Sequence, residues 1–176
     1  MTMPLLPADL FAKLEALGLQ TKTVRHPPLF TVDQSKALRG ELPGGHTKNL
    51  FLKDKKDRMW LVTADEDRGI DLKALGTVLG ANGRVSFGSP ERLMRHLGVE
   101  PGAVTPFGLA NDTAGQVSFL LDEGLLRHDV LNFHPLTNEA TTAIARDDFL
   151  RFLDAISHKP QVMALPARAS DARFAS

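Results

Sequence analysis

Gly44-Gly45-His46-Thr47-Lys48-Asn49-Leu50-Phe51-Leu52-Lys53 reads as a glycine turn feeding a short apolar strand with a lysine at its mouth. In an extended strand alternate side chains share a face, so Lys48 falls with Leu50 and Leu52, while Asn49, Phe51 and Lys53 point the other way. If the leucine face is the core face, Lys48 enters a partly desolvated place. There an ammonium either loses pKa or takes an anionic or carbonyl partner, and both suit work on a charged substrate. The plainer reading stands beside it: a lysine at a strand end can lay its stem on apolar neighbours and keep its charge in water. The strand continues into the polar turn Asp54-Lys55-Lys56-Asp57 and then Met59-Trp60-Leu61-Val62-Thr63, which predicts a hairpin. The second strand is apolar on both faces and belongs in the middle of a sheet.

Around this hairpin the 176 residues suit one domain with a proper core, taken as residues 1–160 with a loosely held tail over 161–176. Hydrophobic residues make up 43% and charged residues 24%, which excludes a disordered or fibrous chain. There is no cysteine, so disulfides, thiolate zinc sites and a cysteine nucleophile are ruled out, in keeping with a reducing, cytoplasmic compartment. Lys+Arg and Asp+Glu balance at 21 each, so a grip on nucleic acid must come from a local patch. Lys48, Lys53, Lys55, Lys56 and Arg58 form one, against Asp54 and Asp57. No basic region leads into an apolar run at the start and no run reaches about 18 apolar residues, so neither a signal peptide nor a membrane span is expected.

Leu10, Phe11, Leu14 and Leu17 make one helical stripe that Gly18 stops. Thr21–His26 is a strand ended by Pro27-Pro28, and Thr31 with Gln34 forms a capping box for a helix to Gly40. Asp71 caps a helix over Leu72–Leu79, and Val85–Phe87 is a short strand. Ser89-Pro90 begins a helix that ends at Gly98. Strands are expected over Val117–Leu121, Val130–Phe133 and Thr137–Ile144, and a last helix starts at Asp147 or Asp148. The expectation is an α/β or α+β domain, a mixed sheet of about six strands covered by helices.

Six histidines invite a metal, but they show no His-Glu-x-x-His pattern and no carboxylate at useful spacing. A Gly-x-Ser-x-Gly elbow and a phosphate loop are also missing. With 6% aromatics and no tyrosine, stacking platforms for single strands are not expected either. What remains is a pair of loops, Gly44–Lys48 and the shaped segment Gly102-Ala103-Val104-Thr105-Pro106-Phe107-Gly108-Leu109-Ala110-Asn111-Asp112, with His134 at a strand end before a proline. Each alone is equally well explained as turn chemistry. The residues themselves lead as far as a soluble α/β domain with an anion-accepting pocket.

At these same residues the chain resembles a family. His26-Pro27-Pro28, Thr47-Lys48-Asn49-Leu50-Phe51-Leu52-Lys53, Gly102–Gly108 and Asn132-Phe133-His134-Pro135-Leu136-Thr137-Asn138 are similar to landmarks of the YbaK/prolyl-tRNA synthetase-associated editing domains. Within it the chain looks most like the PrdX or ProXp-ala branch, which hydrolyses alanyl-tRNA(Pro). The resemblance implies a curved mixed sheet, a deacylase without metal or other cofactor, tRNA(Pro) as partner and prolyl-tRNA synthetase as a further one. It implies that Lys48 is the catalytic residue, that Asn49, Gly102, Ala103, Val104, Thr105, Pro106, Phe107, Gly108 and His134 bind the aminoacyl group, and that Lys53, Lys55, Lys56 and Arg58 touch the tRNA. The cysteine-clearing branch usually has Lys-Thr where this chain has Lys48-Asn49, which favours alanine. Other readings are a deacylase for cysteinyl-tRNA(Pro) or another small residue, and a non-catalytic adaptor for tRNA or synthetase.

Overall fold

A computed structural model of the chain describes residues 3–28 and 42–168. The helix expected between Thr31 and Gly40 lies outside the described residues. Strands β1 (Thr21–Arg25), β2 (Gly45–Lys53), β3 (Met59–Asp65), β4 (Ser86–Phe87), β5 (Val117–Asp122), β6 (Val130–Phe133), β7 (Ala140–Ala145) and β8 (Gln161–Met163) form one mixed sheet. Its order is β1-β7-β6-β2-β3-β5-β8, with β4 added beside β2. The predicted hairpin is there: β2 and β3 pair antiparallel with Lys48 opposite Ala64 and Leu52 opposite Trp60. On its other side β2 runs parallel to β6, His46 level with Asn132.

Among the described residues four α-helices cover the sheet: α1 (Pro7–Ala16), α2 (Leu72–Leu79), α3 (Pro90–Leu97) and α4 (Arg146–Ala155). The caps are those the sequence predicts. Asp71 accepts from the Ala74 amide and Ser89 from the Arg92 amide, while Gly80 and Gly98 close α2 and α3 in the left-handed conformation. On one face α1, α3 and α4 send Leu10, Leu14, Leu93, Leu97, Phe149 and Phe152 onto Phe51, Leu61, Phe119 and Phe133. On the other, α2 sends Leu75 onto Leu52, Trp60, Val62 and Leu120. Because β3 feeds both clusters, its two-sided apolar run is explained. The Leu50–Leu52 face of β2 is thus a core face, as expected, although of the smaller cluster.

Two expectations are corrected. The tail after Pro160 is fixed over 161–168: β8 pairs parallel with β5, Leu165 is buried, and its amide donates to the Asp122 carboxylate at 3.0 Å. A three-residue edge strand with exposed side chains carries no period to read. Second, within the shaped loop expected over Gly102–Asp112, Pro106–Asn111 tightens into a 3-10 turn that Thr105 caps. His158, next to α4, meets Asp112 at the end of this turn at 3.2 Å, and that hydrogen bond raises the histidine above its ordinary value.

The turn between β2 and β3 is built on Asp54. Its buried carboxylate accepts from the amides of Lys56, Arg58 and Asn82 and from Arg58 Nε, all at 2.9 Å. Burial alone would push this carboxyl up, but those donors outweigh it and hold it at about 2, against an ordinary 3.8. A depressed carboxyl contributes stability that is present above its unfolded value and is lost as pH falls through the folded one. Thermal midpoints are therefore expected to drop between about pH 4 and 2 through Asp54, and Asp54→Asn should lower the midpoint at neutral pH and flatten that limb. An unchanged acid limb in the variant removes Asp54 as its source.

Candidate functional site

The start of β2 is fixed by its glycines. Gly44 has φ +112°, and a Cβ there would come within 2.6 Å of the Val130 carbonyl oxygen. One on Gly45 would come within 2.6 Å of the His128 ring. Only glycine lets the chain enter so close beside β6. Thr47 then donates to the Asn132 carbonyl at 2.8 Å, Thr63 donates to Asn49 Oδ1 at 2.5 Å, and Asn49 Nδ2 reaches Thr47 at 3.5 Å. These bonds lock β2 to both neighbours directly behind Lys48.

On the front, His46 is level with Asn132 where β2 and β6 pair, and by alternation Lys48, two residues further along β2, and His134, just past the end of β6, follow on the same side of the sheet. Lys48 is half-buried. His46, Glu66 and His26 gather round the same end: the Glu66 amide donates to the His46 carbonyl at 2.8 Å, and the His26 ring lies 6.4 Å from that of His134. His26 is itself held, Nδ1 donating to the Pro27 carbonyl and Nε2 meeting Thr141 Oγ1, both at 2.8 Å. His46 Nε2 donates to the Leu42 carbonyl at 2.6 Å.

His134 has a defined proton. A carbonyl only accepts, so Nδ1, 3.1 Å from the Ala140 carbonyl, carries the hydrogen and Nε2 presents its lone pair. Burial pushes this histidine below its ordinary value, and the charge of His26 adds to that; the Ala140 bond and Glu66 pull the other way without prevailing. It is held as a neutral acceptor.

The structure brings some predicted residues together and not others. Gly102 lies against the segment that follows His134, since a Cβ there would meet Asn138 Nδ2 at 3.3 Å. Ala103 and Thr105 are buried and Val104 half-buried behind it. Pro106, Phe107 and Gly108 are core: Phe107 is packed edge-on against Phe133 and Phe152 on the far face of the sheet. Asn49 is also on that far face. Lys53, Lys55, Lys56 and Arg58 lie at the opposite end of β2, about 17 Å from Lys48 at about 3.4 Å per residue. Arg58 is spent on Asp54 and the Gly80 carbonyl and stacks over Trp60 at 5.4 Å, and Lys53 meets Asp57 at 3.6 Å. Lys55 and Lys56 are exposed. Sequence reasoning missed His46, Glu66 and Thr141 as neighbours of the site; the alternation that put Lys48 on a face gives His46 too, whereas the others depend on strand pairing.

Fold and face define an α/β domain with one polar, lysine-bearing end to its sheet. The model of the aminoacyl-tRNA editing domain matches residues 26–152. Over 162 residues the chain is 41% identical to the mouse (Mus musculus) prolyl-tRNA synthetase associated domain-containing protein 1, covering 90% of this chain and 95% of that one. Over 145 residues it is 35% identical to the prolyl-tRNA editing protein ProX of Acetoanaerobium sticklandii, covering 82% and 88%. A crystal structure described as a candidate trans-editing enzyme for prolyl-tRNA synthetase shares the fold, with a TM-score of 0.69 at 22% identity over 91% of this chain and 96% of that one. The chain belongs to the aminoacyl-tRNA editing domain family, in its prolyl-tRNA synthetase-associated group. Among the described residues no helix is long and apolar enough to cross a membrane.

Proposed function

We propose that this protein is a trans-editing deacylase that hydrolyses the ester of alanyl-tRNA(Pro). The reading is supported by the parallel pairing of β2 with β6, beyond whose level pair His46 and Asn132 both Lys48 and His134 lie two residues along, the histidine with its Nε2 lone pair available. Water adds to the ester carbonyl, the bond to the ribose oxygen breaks, and alanine leaves with the tRNA's terminal hydroxyl restored. The Lys48 ammonium donates to the carbonyl oxygen as it becomes an oxyanion, and His134 Nε2 accepts from the attacking water and returns the proton to the ribose oxygen. An aminoacyl ester is already reactive, so positioning and polarisation suffice.

Specificity follows from what a synthetase for proline cannot do. A smaller side chain fits a larger hole at a loss of only about 1–3 kcal/mol, so alanine slips through and must be removed by a second site that rejects by size. The Gly102–Pro106 segment supplies backbone as a wall, which admits a methyl group and excludes a pyrrolidine ring. Lys55 and Lys56 would meet tRNA phosphates; Lys53 and Arg58 hold the turn that presents them. A panel of tRNA(Pro) charged with alanine, cysteine, serine and proline tests the reading: alanyl-tRNA(Pro) should be cleared with catalytic turnover and prolyl-tRNA(Pro) spared. Preferential loss of the cysteinyl or seryl ester would move the substrate to that residue, and the absence of turnover on all four would leave an adaptor.

A further inference from the structure

We infer that the cleft between α2 and the 81–85 loop is a seat for the ribose–phosphate backbone of the tRNA acceptor arm. The identity of the RNA rests on the proposed function, whereas the binding itself is read independently below. The cleft has a volume of about 260 Å³, with Leu72, Gly76 and Val85 among its lining and Lys73, Thr77 and Arg84 at its rim. Lys73 and Arg84 are both exposed. Gly76 keeps it open. A Cβ there would meet Val85 Cγ1 at 3.6 Å, an ordinary contact, so alanine would fit and would favour the helix; glycine leaves a space instead.

The charge around this cleft is one-sided. Residues 72–90 contain Lys73 and Arg84 and no acidic residue at all, in a chain whose charges otherwise cancel. Asp71 at the helix start is turned onto the Ala74 amide, Asp54 is buried in its turn, and Asp57 is met by Lys53 and Arg92. The Lys55 stem lies across Gly83, its Cδ 2.9 Å from where a Cβ would sit, and the Lys55 amide donates to the Asn82 carbonyl. Lys55 of the β2–β3 turn therefore lies beside Arg84's loop and adds a second exposed cation to it. Beside it Phe87, on the strand that pairs with Leu52, is 59% exposed and offers a flat apolar face.

This surface lies on the Lys48 face of the sheet, because α2 and Val85 pack on the cluster that holds Leu52 and takes in Leu50, two residues from Lys48 along β2. An RNA whose charged 3′ end is at Lys48 can lay the nucleotides before it along α2. Cations at the rim meet phosphates, and the apolar floor and Phe87 meet sugar and base faces. Such contacts position an RNA without reading its sequence.

The test uses the full chain and uncharged tRNA(Pro) transcript, followed by anisotropy across a salt series, so that no catalysis is needed. Lys73→Glu with Arg84→Glu should weaken binding at low salt by at least about tenfold and reduce the salt slope by about 2, near one unit per lost phosphate contact. Gly76→Ala, which keeps every charge and narrows the cleft by one methyl, should raise the thermal midpoint while weakening binding; it decides the matter if the charge-reversed protein does not fold. Unchanged affinity and slope in the charge variant, or in Gly76→Ala when that variant stands alone, would overturn the inference. Protection of the cleft by inorganic phosphate or AMP with tRNA binding unaffected would also overturn it, in favour of a small-anion site. A protein that binds tRNA through this cleft but cleaves no ester keeps the inference and loses the editing reading.

Discussion

Lys48→Ala is expected to lower the rate of alanyl-tRNA(Pro) deacylation by about 10²–10³-fold, the usual effect of removing one preorganised donor from a developing oxyanion. Single-turnover rates should carry the whole loss, with KM little changed, because the ammonium is proposed to grip the carbonyl oxygen more tightly as its charge grows than in the ground state. The fold should survive. Lys48 is half-buried at the end of a strand whose register is set behind it by Thr47, Asn49 and Thr63, and none of those bonds involves its side chain. A shift in thermal midpoint within about 3 °C is therefore anticipated. Lys48→Arg should not restore activity, since a planar guanidinium on a longer stem cannot occupy the place of a compact ammonium. Wild-type turnover in Lys48→Ala would remove this residue from the mechanism.

Much of the fold was legible because its signals are local. The glycine pair before β2, the polar turn at 54–57, the caps at Asp71 and Ser89 and the two-faced apolar run of β3 each specify a few neighbouring residues, and each stands where the sequence puts it. The site was legible only in pieces. Lys48 and His134 could be singled out separately, but bringing their segments to the same region depends on β2 pairing parallel with β6, a contact between segments more than 80 residues apart that no periodicity encodes. Asn49 shows two readings in conflict: alternation sends it away from Lys48, whereas its place in a family string puts it in the pocket, and it does lie on the far face with Thr63. Counting basic residues near the turn overstated the RNA patch, because a count cannot see that a buried Asp54 holds Arg58. Reading Gly102–Asp112 as one loop likewise missed that Thr105 caps a turn that carries Phe107 into the core.

His134 gives the second large effect and separates chemistry from scaffolding. Its Nδ1–H is tied to the Ala140 carbonyl, so His134→Asn can keep a donor near that position while removing the Nε2 lone pair. Loss of a positioned base predicts a fall in the single-turnover rate of about 10²–10⁴-fold with the thermal midpoint near that of the wild type. The pH profile supplies the sign. Burial holds the folded pKa below the ordinary 6.5, so wild-type activity should be flat near neutrality and fall only as acid protonates Nε2, with a half-point below that value. A histidine with a lowered folded pKa takes up fewer protons folded than unfolded, so the same acidification also costs stability, beginning as pH falls through the unfolded value. His134→Asn should remove this histidine's share of both limbs together. An acid limb of activity that persists unchanged in His134→Asn would show that another group accepts the proton, and the water would then have to be activated from the tRNA's own terminal ribose.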